Sequence, residues 1–330
     1  MYRFLLPRSL AFVVLCALAS ATSPAWAVDG SGAISLTIAP SVRGEAMGGL
    51  YTALPQDYSA RWGNPALLAF IDRSTFGLMY SKLVPDLAED VFYFYGGYVW
   101  PTGSVGTLQV DLTYLSYGES EAVDSDGNSQ GVFSSYEVSP AAAIGFKFLP
   151  NLGVGVAVKY VRIDLAPEEK IPDALGSGSG TGSSWGFDVG AMYAQGPVRA
   201  GALIANLGPD VSFIDAEQSD PMPRVLRVGG TYDIYRNEAG EVRAGYEWER
   251  SLVAWGSNLG DFDVHHFGGE FVYAGMFAVR GGFVHDSDGD VSSATGGLGL
   301  RWGGAAFEYA NAPQADGLDR VHRFALWYRY

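Results

Sequence analysis

From Ser74 to the end, the chain alternates apolar and polar positions in short stretches separated by turn residues. A period of two predicts β-strands with one apolar and one polar face. The stretches run 74–83, 91–101, 105–117, 132–148, 152–165, 184–195, 198–207, 223–234, 241–250, 262–273, 276–285, 293–302, 305–310 and 318–330, fourteen in all. Most are as long as a tilted membrane-crossing strand requires, about 9–11 residues. In 241–250, Val242, Ala244, Tyr246 and Trp248 share one face, and Glu241, Arg243, Glu247 and Glu249 the other. Leu108, Val110, Leu112 and Tyr114 oppose Gln109, Asp111 and Thr113; Leu226, Val228 and Tyr232 oppose Arg227, Thr231 and Asp233. Arg or Lys on a lipid face near the bilayer midplane costs roughly 2–4 kcal/mol, so these polar faces are expected to line a lumen. Small residues among them, such as Gly153, Gly155, Ala157 and Gly245, leave room there for a plug or an aqueous path.

The connections alternate in length after the first strand. Thr102-Gly103-Ser104, Pro150-Asn151, Gly196-Pro197, Asn237–Gly240, Ala274-Gly275 and Gly303-Gly304 are tight, whereas Gly118–Gly131, Pro167–Ser183, Gly208–Met222 and Ser251–Asp261 are long. An up-and-down barrel makes every second turn short, on the periplasmic side, and lets the others grow outward. The expected fold is therefore all-β, a 14-stranded antiparallel transmembrane barrel. The last strand carries Phe324, Leu326, Tyr328 and Tyr330 on one face, against Arg323, Ala325, Trp327 and Arg329. It is expected to close the barrel against the strand beginning near Ser74, because an open sheet edge is not tolerated in lipid.

Residues 1–27 read as a Sec signal peptide, with Arg3 and Arg8, an apolar run from Leu10 to Ala19, and the cleavage site Ala25-Trp26-Ala27. The single cysteine, Cys16, lies within it; Leu15 before it excludes a lipobox. Removing the two arginines takes the net charge from −15 to −17, too acidic for nucleic-acid binding. Charged residues make up only 17% of the chain and aromatics 14%, a composition that suits a β-barrel better than a helical domain.

Val28–Arg73 does not alternate. Its Gly, Ala and Trp content and an apparent short helix near Pro65–Phe70 suggest a plug inside the barrel, giving three units: 1–27 signal peptide, 28–73 plug, 74–330 barrel. Asn64 is suited to cap the helix and Pro65 to its first turn. Two acidic turns, with Asp124 and Asp126 in one and Asp286, Asp288 and Asp290 in the other, resemble half of a calcium loop. Both lack the glutamate at the twelfth position, so an ordinary Asp-Gly turn is the leading reading and weak divalent binding the alternative. His265 and His266 are neighbours on a strand and so point to opposite faces. Neither a Gly-x-Ser-x-Gly elbow nor a His-Glu-x-x-His pair is present, so no enzyme activity, metal or cofactor is expected.

Arg43-x-x-Ala46-Met47-Gly48-Gly49, Tyr51-Thr52-Ala53, Asp57, Ala60, Trp62 and Asn64-Pro65-Ala66-x-x-Ala69 resemble the N-terminal signature of the PorV/PorQ family, itself similar to FadL-type channels. Asn206-Leu207-Gly208-Pro209, Pro221-Met222-Pro223 and Leu226-Arg227-Val228-Gly229 extend the resemblance; Gly63 before Asn64 departs from it. The resemblance implies a 14-stranded barrel with an N-terminal hatch in the outer membrane of a Gram-negative-type bacterium. For FadL-type members it implies passage of hydrophobic, acyl-chain compounds, and for PorV itself a type IX secretion role in handling exported proteins. Candidate hatch or ligand residues are Arg43, Met47, Gly48, Gly49, Asn64, Pro65 and Ala66. Val211, Phe213 and Ile214 are candidates for ligand entry at an outer loop, or for packing that loop on the rim. Expected partners are outer-membrane lipids, a hydrophobic small molecule or exported proteins, and the outer-membrane assembly machinery.

Overall fold

The computed structural model describes residues 31–55, 58–85, 87–123, 128–166, 180–213, 219–253, 263–286, 291–314 and 320–330. The signal-peptide segment, Asp57, Ile214, Asp124, Asp126, Asp288 and Asp290 lie outside them.

The N-terminal part holds two single-turn α-helices, α1 (Val42–Ala46) and α2 (Ala60–Gly63), and 3₁₀ turns at Ile34–Leu36 and Pro65–Phe70. The strands are β1 (Thr75–Lys82), β2 (Val91–Pro101), β3 (Thr107–Val123), β4 (Ser129–Leu149), β5 (Leu152–Asp164), β6 (Thr181–Gln195) and β7 (Val198–Leu207). They continue as β8 (Val211–Ser212), β9 (Ser219–Asp220), β10 (Val225–Arg236), β11 (Gly240–Ser251), β12 (Asp263–Tyr273), β13 (Phe277–Asp286), β14 (Val291–Trp302), β15 (Ala305–Ala312) and β16 (Val321–Arg329). β8 and β9 are two-residue pieces of the long connection after β7; β7 itself pairs with β10. The other fourteen strands form one closed antiparallel ring, in which β16 pairs with β1 from Arg329 opposite Thr75 to Arg323 opposite Ser81. No helix among the described residues is long and apolar enough to cross a membrane; the crossing is made by strands.

Face alternation holds as expected. Phe324, Leu326 and Tyr328 are exposed outward, while Ala325 and Trp327 are buried within. An outward belt that includes Phe76, Leu78, Val110, Leu112, Phe271 and Leu298 is apolar and exposed, which is stable only in hydrocarbon. Inward, Asp111, Asp188, Arg243, Glu247, Glu270 and Arg280 are buried and polar.

β3 and β4 differ from expectation: they run past Tyr117 into the outer connection and stay paired out to Val123 and Ser129. A register shift at Ser116/Gly118 marks where the wall ends. Gly118 takes φ +84° there, and the Asp90 carboxylate occupies the space a Cβ would need while accepting the Glu119 N–H at 2.7 Å. Beyond that bulge no apolar face is needed, so the alternation that marks a membrane strand is absent.

Candidate functional site

Residues 31–73 lie against the inward faces of the barrel. Where they touch it, the wall is often bare. A Cβ on Gly155 of β5 would fall 2.3 Å from the Pro65 carbonyl carbon, on Gly190 of β6 1.9 Å from Asn64 Oδ1, on Gly268 of β12 2.0 Å from the Met47 carbonyl oxygen, and on Gly282 of β13 2.1 Å from Gly48 N. The small residues that suggested space in the lumen thus form the seat of the insert. Gly48 and Gly49 have φ of +75° and +88°, a left-handed turn that residues with a Cβ rarely adopt.

The insert's polar backbone is satisfied by wall side chains. Glu247 accepts the Tyr51 and Thr52 N–H groups at 2.9 and 2.7 Å, and Glu137 accepts those of Ile34 and Ser35. Thr295 Oγ1 accepts from Gly48 N at 2.9 Å, and His266 Nδ1 lies 2.7 Å from the Gly48 carbonyl oxygen. Asn64 caps the Pro65–Phe70 turn through Ala66 N at 2.9 Å, as its sequence position suggests, and its amide donates to Thr52 O and to Ala191 O of β6. Gly63, the departure from the family pattern, ends α2 with room for a Cβ closed off by the Tyr51 carbonyl 3.0 Å away.

Two buried ionic networks fix the insert from opposite sides. Arg43 donates through Nε (2.9 Å) and Nη2 to Glu270, which also accepts from Arg280 at 2.8 Å and Arg243 at 3.3 Å. Arg280 continues to Glu308, and Arg243 to Asp233. On the other side Arg61 grips Asp111 through two bonds of 2.7 Å and lies 3.5 Å from Asp188. Lys159 and the Asn206 backbone N–H both reach Asp188, at 2.7 and 2.8 Å. Asn206, first residue of the Asn-Leu-Gly-Pro motif, sits at φ +62°, a conformation asparagine tolerates. Its side chain accepts from Lys159 Nζ and donates to Pro223 O. That motif therefore braces the wall where β6 and β7 shift register between Phe187 and Val189.

Above the insert, on the side of the long connections, opens a cavity of about 320 Å³. Its floor is Tyr51 and Trp62, packed edge-on at 5.0 Å, and its walls include Arg227, Glu249, His266 and Arg323. The Arg227 guanidinium lies 4.5 Å from the Trp62 ring centre and 5.6 Å from that of Tyr51. It donates to Glu249 through Nε at 2.6 Å; among the described residues its two terminal nitrogens have no hydrogen-bond partner. Burial, with Glu45 beside it, raises the Tyr51 phenol well above its usual range, so it remains a donor to Glu45.

Of the sequence candidates, Arg43, Met47, Gly48, Gly49, Asn64, Pro65 and Ala66 all lie at the insert–wall interface, and Gly49 also lines the cavity. Val211 is fully buried with Ala33, Leu36, Val161, Ile163 and Met222, and Phe213 packs against that cluster. Asp286 lines the cavity. His265 and His266 point outward and inward respectively, as strand neighbours must. Glu249 and Arg227 were legible as lumenal residues; their stacking and pairing over Trp62 was not.

The sequence matches the family model described as type IX secretion system protein PorV over residues 27–257. The chain belongs to the PorV family. No curated protein sequence matches it. In fold it is similar to the Ralstonia pickettii toluene transporter TbuX, with TM-score 0.58 and 18% identity over 89% of this chain and 98% of that one. The Pseudomonas putida toluene transporter TodX follows at 0.58 and 15%, over 93% and 99%. A Pseudomonas aeruginosa FadL homologue gives 0.54 and 12%, over 93% and 99%. This PorV-family chain is thus a FadL-like outer-membrane β-barrel of a Gram-negative-type envelope.

Proposed function

We propose that this barrel binds an amphipathic compound, with an acyl or aromatic body and an anionic head, in the outer cavity above a seated hatch, as the first step of channel-type uptake. The observation that carries the reading is Arg227 stacked over the Trp62–Tyr51 floor with two terminal nitrogens left for a carboxylate. A guanidinium over indole is already partly desolvated, and a carboxylate engaging its fork forms a charge-assisted pair. The aromatic floor supplies apolar contact for the body. Two of the fold neighbours are toluene transporters, which supports a hydrophobic cargo. The reading involves no catalytic step, and residues 28–73 act in it as a single hatch.

The family supports a second reading, in which the same mouth receives a segment of an exported protein. The mixed lining favours it: Glu249, Asp286, Arg227 and Arg323 could serve a polypeptide as well as a lipid. Titration of the purified protein in detergent with a fluorescent long-chain fatty acid separates the two. Saturable binding that weakens at least tenfold in both R227Q and W62A supports the channel reading. No saturable binding, together with exported proteins that co-purify, transfers the function to secretion.

A further inference from the structure

The outward face carries a group of side chains that the hatch and cavity do not use. Around one arc the outer rim of the membrane belt is aromatic: Tyr80, Phe92, Tyr114 and Tyr136 follow one another at 5.7, 5.9 and 5.8 Å, and Tyr160 meets Trp185 at 5.1 Å. Around the other arc, from β11 to β16, imidazoles take this place. His265, His285 and His322 all project outward near the outer ends of β12, β13 and β16. Phenyl rings stand one outward position deeper: Phe267 and Phe283, opposite each other in the ladder, and Phe324.

Each imidazole is held in the same way. His265 Nδ1 lies 2.8 Å from the Tyr246 hydroxyl, His285 Nδ1 2.8 Å from the Ser292 hydroxyl, and His322 Nδ1 2.7 Å from the Tyr309 hydroxyl. In every case the hydroxyl comes from the adjacent strand. With Nδ1 accepting that hydroxyl, the ring's remaining proton is on Nε2, and among the described residues Nε2 of all three has no partner. His265 and His285 stack at 6.4 Å, 17° from parallel. His322 lies three strands beyond β13, about 14 Å away at the usual strand spacing. Beside it on the β1–β16 ladder, one step past the Ser81–Arg323 pair, is the exposed Lys82.

A wholly aromatic rim needs only to bridge hydrocarbon and water. Three imidazoles fixed through one nitrogen, with the other unpartnered among the described residues and an N–H donor wherever Nδ1 is the acceptor, fit an acceptor that lies in the membrane surface. The outward acidic group nearest His265 on its own strand, Asp263, is engaged by Arg250 at 2.6 Å, and Asp90, two residues past the Phe92 that pairs with Lys82, accepts the Glu119 N–H; neither fills that need. We propose that this arc is a binding face for the phosphorylated headgroup of an outer-leaflet lipid, with His265 and His285 holding one phosphate and His322 with Lys82 holding a second. The charge-assisted lysine contact and the N–H donors match phosphate oxygens, and the phenyl layer beneath matches the acyl chains.

The test is native mass spectrometry of the detergent-purified full barrel with diphosphorylated lipid A, using its dephosphorylated form as the comparison. The wild type is expected to retain the diphosphorylated form at least tenfold more strongly. H265F/H285F/H322F keeps an aromatic, outward-facing rim and should lose that preference, and K82Q should weaken it severalfold. Heat-modifiable electrophoretic migration establishes that each variant is a folded barrel; if the triple variant does not fold, H285F with K82Q carries the same comparison. A wild type that does not distinguish the two lipids would overturn the assignment, as would a folded phenylalanine variant that retains the preference, which would leave the histidines as ordinary rim aromatics. Capture of a second barrel in place of lipid would also overturn it.

Discussion

Arg43 on the insert and Glu270 on β12 meet side-on in the buried lumen, and Arg280 and Arg243 approach the same carboxylate from the wall. One acid thus serves three guanidinium groups, only one of which belongs to the insert. Breaking a buried pair costs about 3–5 kcal/mol where the remaining charge is left uncompensated.

E270Q should therefore do more damage than R43M. In E270Q three cations lose their shared partner, whereas in R43M Glu270 still has Arg280 and Arg243. Hydrogen exchange is expected to rise across 31–73 in both variants, more in E270Q, with the outer belt of β1 and β16 unchanged. Equal exchange in the two variants would show that the cluster does not act through Glu270.

The bare seat gives a second expectation. G268V would drive a side chain into the Met47 carbonyl, whose oxygen lies 2.0 Å from the ideal Cβ position, and this collision is with backbone that cannot rotate away. The hatch should leave its place while the wall closes normally. Liposomes carrying G268V are predicted to swell in small sugars faster than wild type, at unchanged heat-modifiable migration.

If the outer cavity is complete with the hatch seated, tethering the hatch should not reduce ligand binding. Residues 28–330 contain no cysteine, so A69C/G153C provides a clean pair. A Cβ at 153 lies 2.7 Å from the Ala69 Cβ, within about 1 Å of disulfide spacing. Oxidised and reduced forms are expected to bind the fluorescent fatty acid with the same affinity. Loss on oxidation would mean that the ligand site forms only when the hatch shifts.

The seam offers a fourth test. Leu326, 62% exposed, faces outward midway along β16, opposite Leu78 of β1. L326R should cost roughly 2–4 kcal/mol on that lipid face. The inward neighbour Ala325 is buried against residues of the insert, so A325L provides the contrast of overpacking. Urea titration in lipid vesicles should show a lower unfolding midpoint for L326R and an unchanged one for L326M.

Much of the wall was legible because two signals agree: a period of two fixes which residues face lipid, and alternating loop lengths fix which end faces outward. Asp111, Gln109, Arg227 and Asp233 were placed in the lumen on that basis, and they are there. What they touch was not legible. Arg61 finds Asp111 and Asp188 at sequence separations of 50 and 127, contacts set by the register of several strands at once. Arg227 over Trp62 depends on how the hatch folds, and short turns joined by irregular chain leave no periodicity to read. The apolar run at Val211 and Phe213 reads equally as an exposed patch or as a loop anchor; only its burial against Ala33 and Leu36 distinguishes them.

Tyr51 carries two duties on different atoms. Its backbone N–H is held by Glu247, while its ring forms the cavity floor beside Trp62. The neighbouring seats are likewise made by backbone, at the carbonyls of Met47, Thr52 and Pro65. The fit of the insert to the wall therefore resides in the main chain, and the rings lie above it. Such a barrel can exchange the side chains that floor its outer cavity without disturbing the backbone seats beneath them.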